Sequence, residues 1–187
     1  MTVRKDCVLL VLAAAIALAG CASTEQKIAQ ASEIKAADDP FKPYREYSTG
    51  AVTSGNMLGS GGKILMARVD RKTGAVTTLL HFQIVYNDGH VRQYETARNA
   101  RAEQLPLRTL LRQGRCKLGG HCPYSDSFEV TLPEPDLRQA GADGYMIKVF
   151  ARNGPEIMIL VPKPMIASLL ARVDADRTIA AARPTRG

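Results

Sequence analysis

A chain of 187 residues, 45% of them hydrophobic, is long enough to bury one ordinary core and too short for two comfortable domains. Its 25 Lys and Arg outweigh 18 Asp and Glu, for a formal charge of +7. That balance draws it toward anionic head groups or acidic cell-surface polymers, although a solvated arginine-rich surface is the plainer account. No basic run is interleaved with aromatics, so nucleic acid is not an expected partner.

The chain starts Met1-Thr2-Val3-Arg4-Lys5, and an apolar or small run follows from Cys7 to Gly20. The run falls short of the roughly 20 apolar residues a spanning helix needs, and it has the flanks of a secretory signal core. It ends Leu18-Ala19-Gly20-Cys21, followed by Ala22-Ser23-Thr24. This resembles the lipobox of bacterial lipoproteins. The resemblance implies cleavage before Cys21, a thioether-linked diacylglycerol on its sulfur and an N-acyl chain such as palmitate. Ala22 rather than Asp after the cysteine implies the periplasmic side of the outer membrane in a two-membrane bacterium. An ordinary signal peptide cut after Ala-x-Ala, or a buried N-terminal helix, is the competing reading.

Residues 1–20 are thus expected as a lipoprotein signal peptide, 21–50 as a lipidated N-terminus and tether, 51–176 as a β-rich globular domain and 177–187 as a mobile basic tail. The small, polar segment 22–37 reads as the tether, partly helical at most, and 38–50, with Pro40 and Pro43, reads as irregular. Phe41, Tyr44 and Tyr47 are available to pack on the domain edge. "GNMLGSGG" (55–62) reads as a flexible loop between strands. Its Gly62-Lys63 suggests a phosphate-binding loop, but that motif needs glycine where Met57 stands and a hydroxyl where Ile64 stands.

A strand is expected over 63–70, a turn at 71–74, and then a long strand in which Leu80, Phe82, Ile84 and Tyr86 share one face at period two. Asn87-Asp88-Gly89 has the chemistry of a tight hairpin, with a return strand from Val91. Segment 106–116 is a further strand leading into "CKLGGHC". In "SFEVTLP", Phe128, Val130 and Leu132 lie together with Glu129 and Thr131 opposite. "EPDLRQAG" is a short helical turn ended by Gly141 or Gly144. Residues 144–162 form a second hairpin, with Tyr145, Ile147 and Val149 on one face, a turn at Arg152–Pro155, and Ile157, Ile159 and Val161 continuing. Ile166, Leu169, Leu170 and Val173 then recur at helical spacing over 163–177, with Pro164 suited to the first turn. The expected fold is mainly β: an antiparallel sheet or sandwich of about six to eight strands with a short C-terminal amphipathic helix, α+β being the alternative.

The chemistry-bearing residues are few. With Cys21 acylated, Cys116 and Cys122 are expected as a disulfide, since exported thiols tend to pair and Gly119-Gly120 lets the loop fold back. A zinc site from Cys116, His121 and Cys122 lacks a fourth ligand, so no metal and no cofactor is expected. His81 reads as a partly buried or edge residue and His90 as a solvated turn residue. No Gly-x-Ser-x-Gly elbow is present; Ser125 or Ser127 near His121 and the carboxylates Glu129 and Glu134 are the remaining catalytic combinations, with solvent-facing strand polarity and a turn the plainer account of the two glutamates. The expectation is therefore a lipid-anchored binding or accessory module without catalysis, with Asp88, His90, Lys117 and His121 as candidate partner-contact positions on two loops. The partner would be an envelope protein or an anionic polymer. The alternative is a periplasmic hydrolase of cell-wall or glycan substrate, marked by a histidine or carboxylate pair converging in a pocket. Residues 75–175, with "EQLPLRTL" and "EIMILVPKPMIASLL", resemble uncharacterised proteobacterial lipoproteins, a likeness that implies no activity.

Overall fold

A computed structural model describes residues 24–56, 59–87, 90–114 and 123–181. The described chain is mainly β, with eleven antiparallel strands in two sheets. The larger sheet has seven strands: β1 (Lys35–Ala37), β2 (Tyr44–Ser48), β3 (Val52–Asn56), β4 (Gly59–Asp70), β5 (Val76–Tyr86), β8 (Leu107–Gly114) and β9 (Tyr124–Leu132). They run in the order β1-β2-β4-β5-β9-β8, and β3 shares an edge of β4 with β2. The smaller sheet orders β11 (Ile157–Pro162), β10 (Gly144–Ala151), β6 (Tyr94–Asn99) and β7 (Gln104–Leu105). Three helices, α1 (Thr24–Ala31), α2 (Glu134–Arg138) and α3 (Lys163–Ala181), complete it.

Alternation along the strands explains the core. Leu80, Phe82, Ile84 and Tyr86 on β5, Phe128, Val130 and Leu132 on β9, and Leu65, Ala67 and Val69 on β4 line one face of the large sheet, all buried in a single cluster. The inner face of the small sheet (Tyr145, Ile147, Val149, Ile159, Val161) and the α3 stripe (Ile166, Leu169, Leu170, Val173) close over it. Tyr94 of the small sheet meets Phe128 of the large one edge to face, with ring centroids 5.4 Å apart. The β4–β5 turn is set by Asp70, whose Oδ1 accepts from the Thr73 amide (2.7 Å), the Lys72 amide (2.9 Å) and the Thr73 hydroxyl (2.9 Å), while Gly74 takes φ +69°.

The expected 144–162 hairpin is present in register, Tyr145 opposite Val161 and Ile147 opposite Ile159. The hairpin expected at Asn87-Asp88-Gly89 is not. β5 already has β4 on one edge and β9 on the other, so no edge is open to a return strand from Val91. The chain instead crosses to β6 in the small sheet, where it pairs with β10. Turn chemistry acts locally, whereas the choice of neighbour is decided by which edges are occupied; residues 88 and 89 lie outside the described chain.

Four boundaries also move. The described part of the expected tether, 24–50, contributes α1, β1 and β2 to the folded unit: Tyr47 is buried, and the Gly50 amide donates to the Ala31 carbonyl at 2.7 Å. Of the aromatics there, Phe41 packs on nothing, being 96% exposed. The glycine-rich 55–62 is largely the arms of the β3–β4 hairpin rather than a loop. α2 ends at Arg138, ahead of both Gly141 and Gly144. Finally α3 runs on to Ala181, so 177–181 is helix; Arg177 forks onto Glu134 at 2.8 and 2.9 Å, which holds that last stretch to α2.

Candidate functional site

At one end of the large sheet the chain leaves β5 at Tyr86, enters β9 at Tyr124 and leaves β8 at Gly114, and Tyr124 stands opposite both of the others. The stems of the two loops singled out in the sequence therefore sit side by side. Tyr86 and Tyr124 stack at 5.5 Å. Asp126, on the same face as Phe128 and fully buried, accepts from the Tyr86 hydroxyl at 3.2 Å and from Arg112 Nε at 3.1 Å. The Tyr86 hydroxyl in turn accepts from the Arg92 amide at 2.9 Å. Arg92 is itself buried, with its guanidinium 4.4 Å over the Tyr86 ring and Nη1 3.3 Å from the Tyr94 hydroxyl. Burial is the main cause that lifts the Tyr86 phenol to about 12, so it stays a neutral donor at any physiological pH.

The tip of the β10–β11 hairpin holds this end from outside. Asn153 Nδ2 donates to the Val91 carbonyl (2.8 Å), the Gln93 amide donates to Asn153 Oδ1 (2.6 Å), and the Arg152 amide donates to the Gln93 carbonyl (2.7 Å). His90 is exposed, one ring nitrogen 3.3 Å from the Asn153 carbonyl oxygen. Cys21, Asp88, Cys116, Lys117, His121 and Cys122 lie outside the described residues. Sequence reasoning missed Arg92, Tyr124 and Asp126. One signal was available: Asp126 falls two residues before Phe128 in an alternating strand, so its carboxylate must point into the core and find donors there.

A second polar cluster lies on the outer face of the large sheet. His81 Nε2 is 2.6 Å from Glu129 Oε2, and Arg108 Nη2 donates to Glu129 Oε1 at 2.7 Å. Glu129 is buried rather than solvent-facing, because β8 brings Arg108 alongside it. Burial pushes its pKa up, but the His81 hydrogen bond and the Arg108 guanidinium together hold it below the usual carboxylate range. Glu129 and Glu134 do not converge; Glu134 bonds Arg177 and Arg138 at the α2–α3 contact. Ser125 accepts from Gln83 at 2.7 Å. His81 and Arg108 between them occupy both oxygens of the Glu129 carboxylate.

Six carboxylates of the described residues share the depressed state, among them Asp70, held down by the Thr73 and Lys72 amides and the Thr73 hydroxyl, and Glu103, held down by Arg101 and Asn99. Glu134 is held down chiefly by Arg177, Asp136 by Arg101 and Asp174 by Arg138, beside Glu129. In the unfolded chain these groups bind protons at higher pH than in the folded one. Their stabilisation is therefore complete above the ordinary value of 4.5 or 3.8 and is lost as pH falls through the lowered values. The melting temperature is expected to be flat from pH 7 to about 5 and to fall steeply below about 4. A thermal scan with equal midpoints at pH 3 and pH 7 would contradict this assignment.

Among the described residues no three His, Cys, Asp or Glu side chains are grouped to hold a metal ion, and no helix is long and apolar enough to cross a membrane. Comparison with protein-family models, curated proteins and solved structures finds no match. In the Tyr86–Arg92–Asp126 cluster the carboxylate and hydroxyl are mutually satisfied, an arrangement that fixes two loop stems rather than leaving a group free to react.

Proposed function

We propose that this protein is exported, acylated on Cys21 and acts at the cell envelope as a lipid-anchored binding or accessory module without catalysis. The observation that carries the reading is the order of features at the N-terminus: Arg4-Lys5, the apolar run, the small pair Ala19-Gly20 and then Cys21. The satisfied cluster at the strand ends that flank these two segments supports a scaffold role, in which a rigid sheet end presents loops to a partner. Growth with an alkyne fatty acid, followed by intact mass of the mature protein, is the test. Label on a chain that starts at residue 21, absent from Cys21→Ser, is the expected result; an intact Met1 with no fatty acid overturns it. In-cell cross-linking of the acylated protein then identifies the neighbour.

The disulfide belongs to the same proposal. β8 and β9 are paired out to Gly114 and Tyr124, and Cys116 and Cys122 each stand two positions beyond that pair in the sequence. Exported thiols tend to pair, and Gly119-Gly120 lets the short segment between the two cysteines fold back. Replacing both cysteines with serine is expected to cost about 2–2.5 kcal/mol. A shift in urea midpoint between the oxidised and serine forms measures it, and superimposable curves would argue against the bridge.

One observation favours a second reading, a periplasmic hydrolase of glycan substrate: the 2.6 Å contact of His81 with Glu129. That reading requires turnover on a glycan panel that disappears in Glu129→Gln.

A further inference from the structure

We propose that the outer face of the four-stranded sheet is the surface this domain lays on a lipid bilayer. The inference rests on acylation of Cys21 and adds an orientation to it. Its first support is the length of chain between anchor and fold. Helix α1 begins at Thr24, three residues after Cys21, a span of at most about 11 Å when fully extended. The helix is packed on β3 and α3, and its last residue, Ala31, is buried and bonded to Gly50. An acylated Cys21 would therefore leave the domain almost no slack, and one of its faces must rest on the head groups.

The second support is which side that is. The apolar stripe of α3 and the inner face of the small sheet cover the same face of the large sheet, and α1 packs against α3. Helix α1, from which the three-residue link to Cys21 starts, thus packs on the helix that shares this side of the large sheet with the small sheet. One outward surface there, beside the solvent side of α3, is the outer face of the small sheet, where cross-strand register groups Met146 with Leu160 and sets Lys148 between Met158 and Arg98.

The third support is chemical. Met158 is 68% exposed and Met146 44%, and both line a groove of about 270 Å³ together with Phe150, Arg98 and Lys148. The Arg98 guanidinium and the Lys148 ammonium lie 5.4 and 5.2 Å from the Phe150 ring centre, and Lys148 also pairs with Glu156. Flexible thioethers and an aromatic ring that enter the acyl boundary, flanked by cations at phosphate level, suit an anionic lipid surface. The outer face of the large sheet has paired charges instead of a groove: it carries the His81–Glu129–Arg108 cluster and the Arg68–Glu46 ion pair, with the half-exposed Leu111 at its edge.

The chain has no tryptophan, so a single one is a clean reporter. Mature protein acylated in cells is reconstituted into phosphatidylethanolamine–phosphatidylglycerol vesicles that contain bromine-labelled acyl chains. Met158→Trp is expected to emit with a blue shift and to be quenched by the bromolipid. Leu111→Trp, half-exposed on the far edge strand β8, is expected to keep its full emission. Adding Arg98→Glu to the Met158→Trp protein is expected to reduce the quenching. Vesicle-bound protein whose Met158→Trp emission is unquenched, or quenched no more than at Leu111→Trp, overturns the orientation while leaving the anchor intact. Protein recovered without fatty acid removes both.

Discussion

Phe128→Ala is expected to destabilise the fold by about 3–5 kcal/mol, which places it among the most damaging single changes available to this chain. Phe128 is fully buried on β9, stacks on Phe82 of β5 at 5.2 Å, and receives the edge of Tyr94 at 5.4 Å. The first contact lies within the large sheet and the second joins it to the small one. Truncation therefore removes apolar burial and leaves a void at the junction of two sheets, which neither can fill alone because each is pinned by its own ladder. For a domain of this size each kcal/mol corresponds to roughly 2–4 °C, so the melting midpoint is expected to drop by roughly 10 °C. Phe41→Ala is the internal control: the same atoms are removed from a ring 96% exposed, and the expected change is within about 0.5 kcal/mol. Urea denaturation of both variants measures the contrast. Equal midpoints would mean that the two sheets do not share the core described.

Gly144→Ala is expected to cost about 3 kcal/mol or more, with Gly141→Ala near neutral. Gly144 opens β10 with φ +123°, a region that side-chain-bearing residues rarely enter. A methyl group added there would stand 2.0 Å from the Val161 carbonyl oxygen and 2.9 Å from the Lys163 amide nitrogen, both backbone atoms that cannot swing away. The clash falls where β11 passes into α3, so the damage would spread to the helix that closes the core. Gly141 has open space around the same added atom. Retention of the wild-type midpoint by Gly144→Ala, in the same denaturation series, would show that this strand start is not held as described.

The two turn segments of the sequence illustrate how far local chemistry reaches. Arg152-Asn153-Gly154 forms its hairpin because β10 and β11 are both free to pair there, and Asn153 then uses its side chain to capture residues 91 and 93. Asn87-Asp88-Gly89 has equally good turn chemistry, yet β5 is enclosed by β4 and β9, and the chain is diverted to another sheet. Segment 24–48 was illegible for a different reason. Its elements are short and carry little apolar surface, and they are ordered by edges that others supply: β2 by β4, β1 by β2, and α1 by α3 and Gly50. The polar cluster at the sheet end needed Arg92, Tyr86 and Asp126 from three separate segments, so no window of sequence contained it.

By itself, the amino-acid sequence determined the mainly β class, the faces of β5, β9 and β10, the 144–162 hairpin and the buried stripe of α3. These follow from side-chain periods of two and 3.6 residues, which are properties of the backbone over a few residues. Only the tertiary structure decided that the described strands form two sheets, which strands are neighbours, that a carboxylate and a guanidinium lie buried at one sheet end, and that Thr24–Ser48 supplies a helix and two strands to the folded unit. Those depend on which hydrogen-bonding edges are occupied and which distant donors meet which acceptors, and both are settled by segments far apart in the chain.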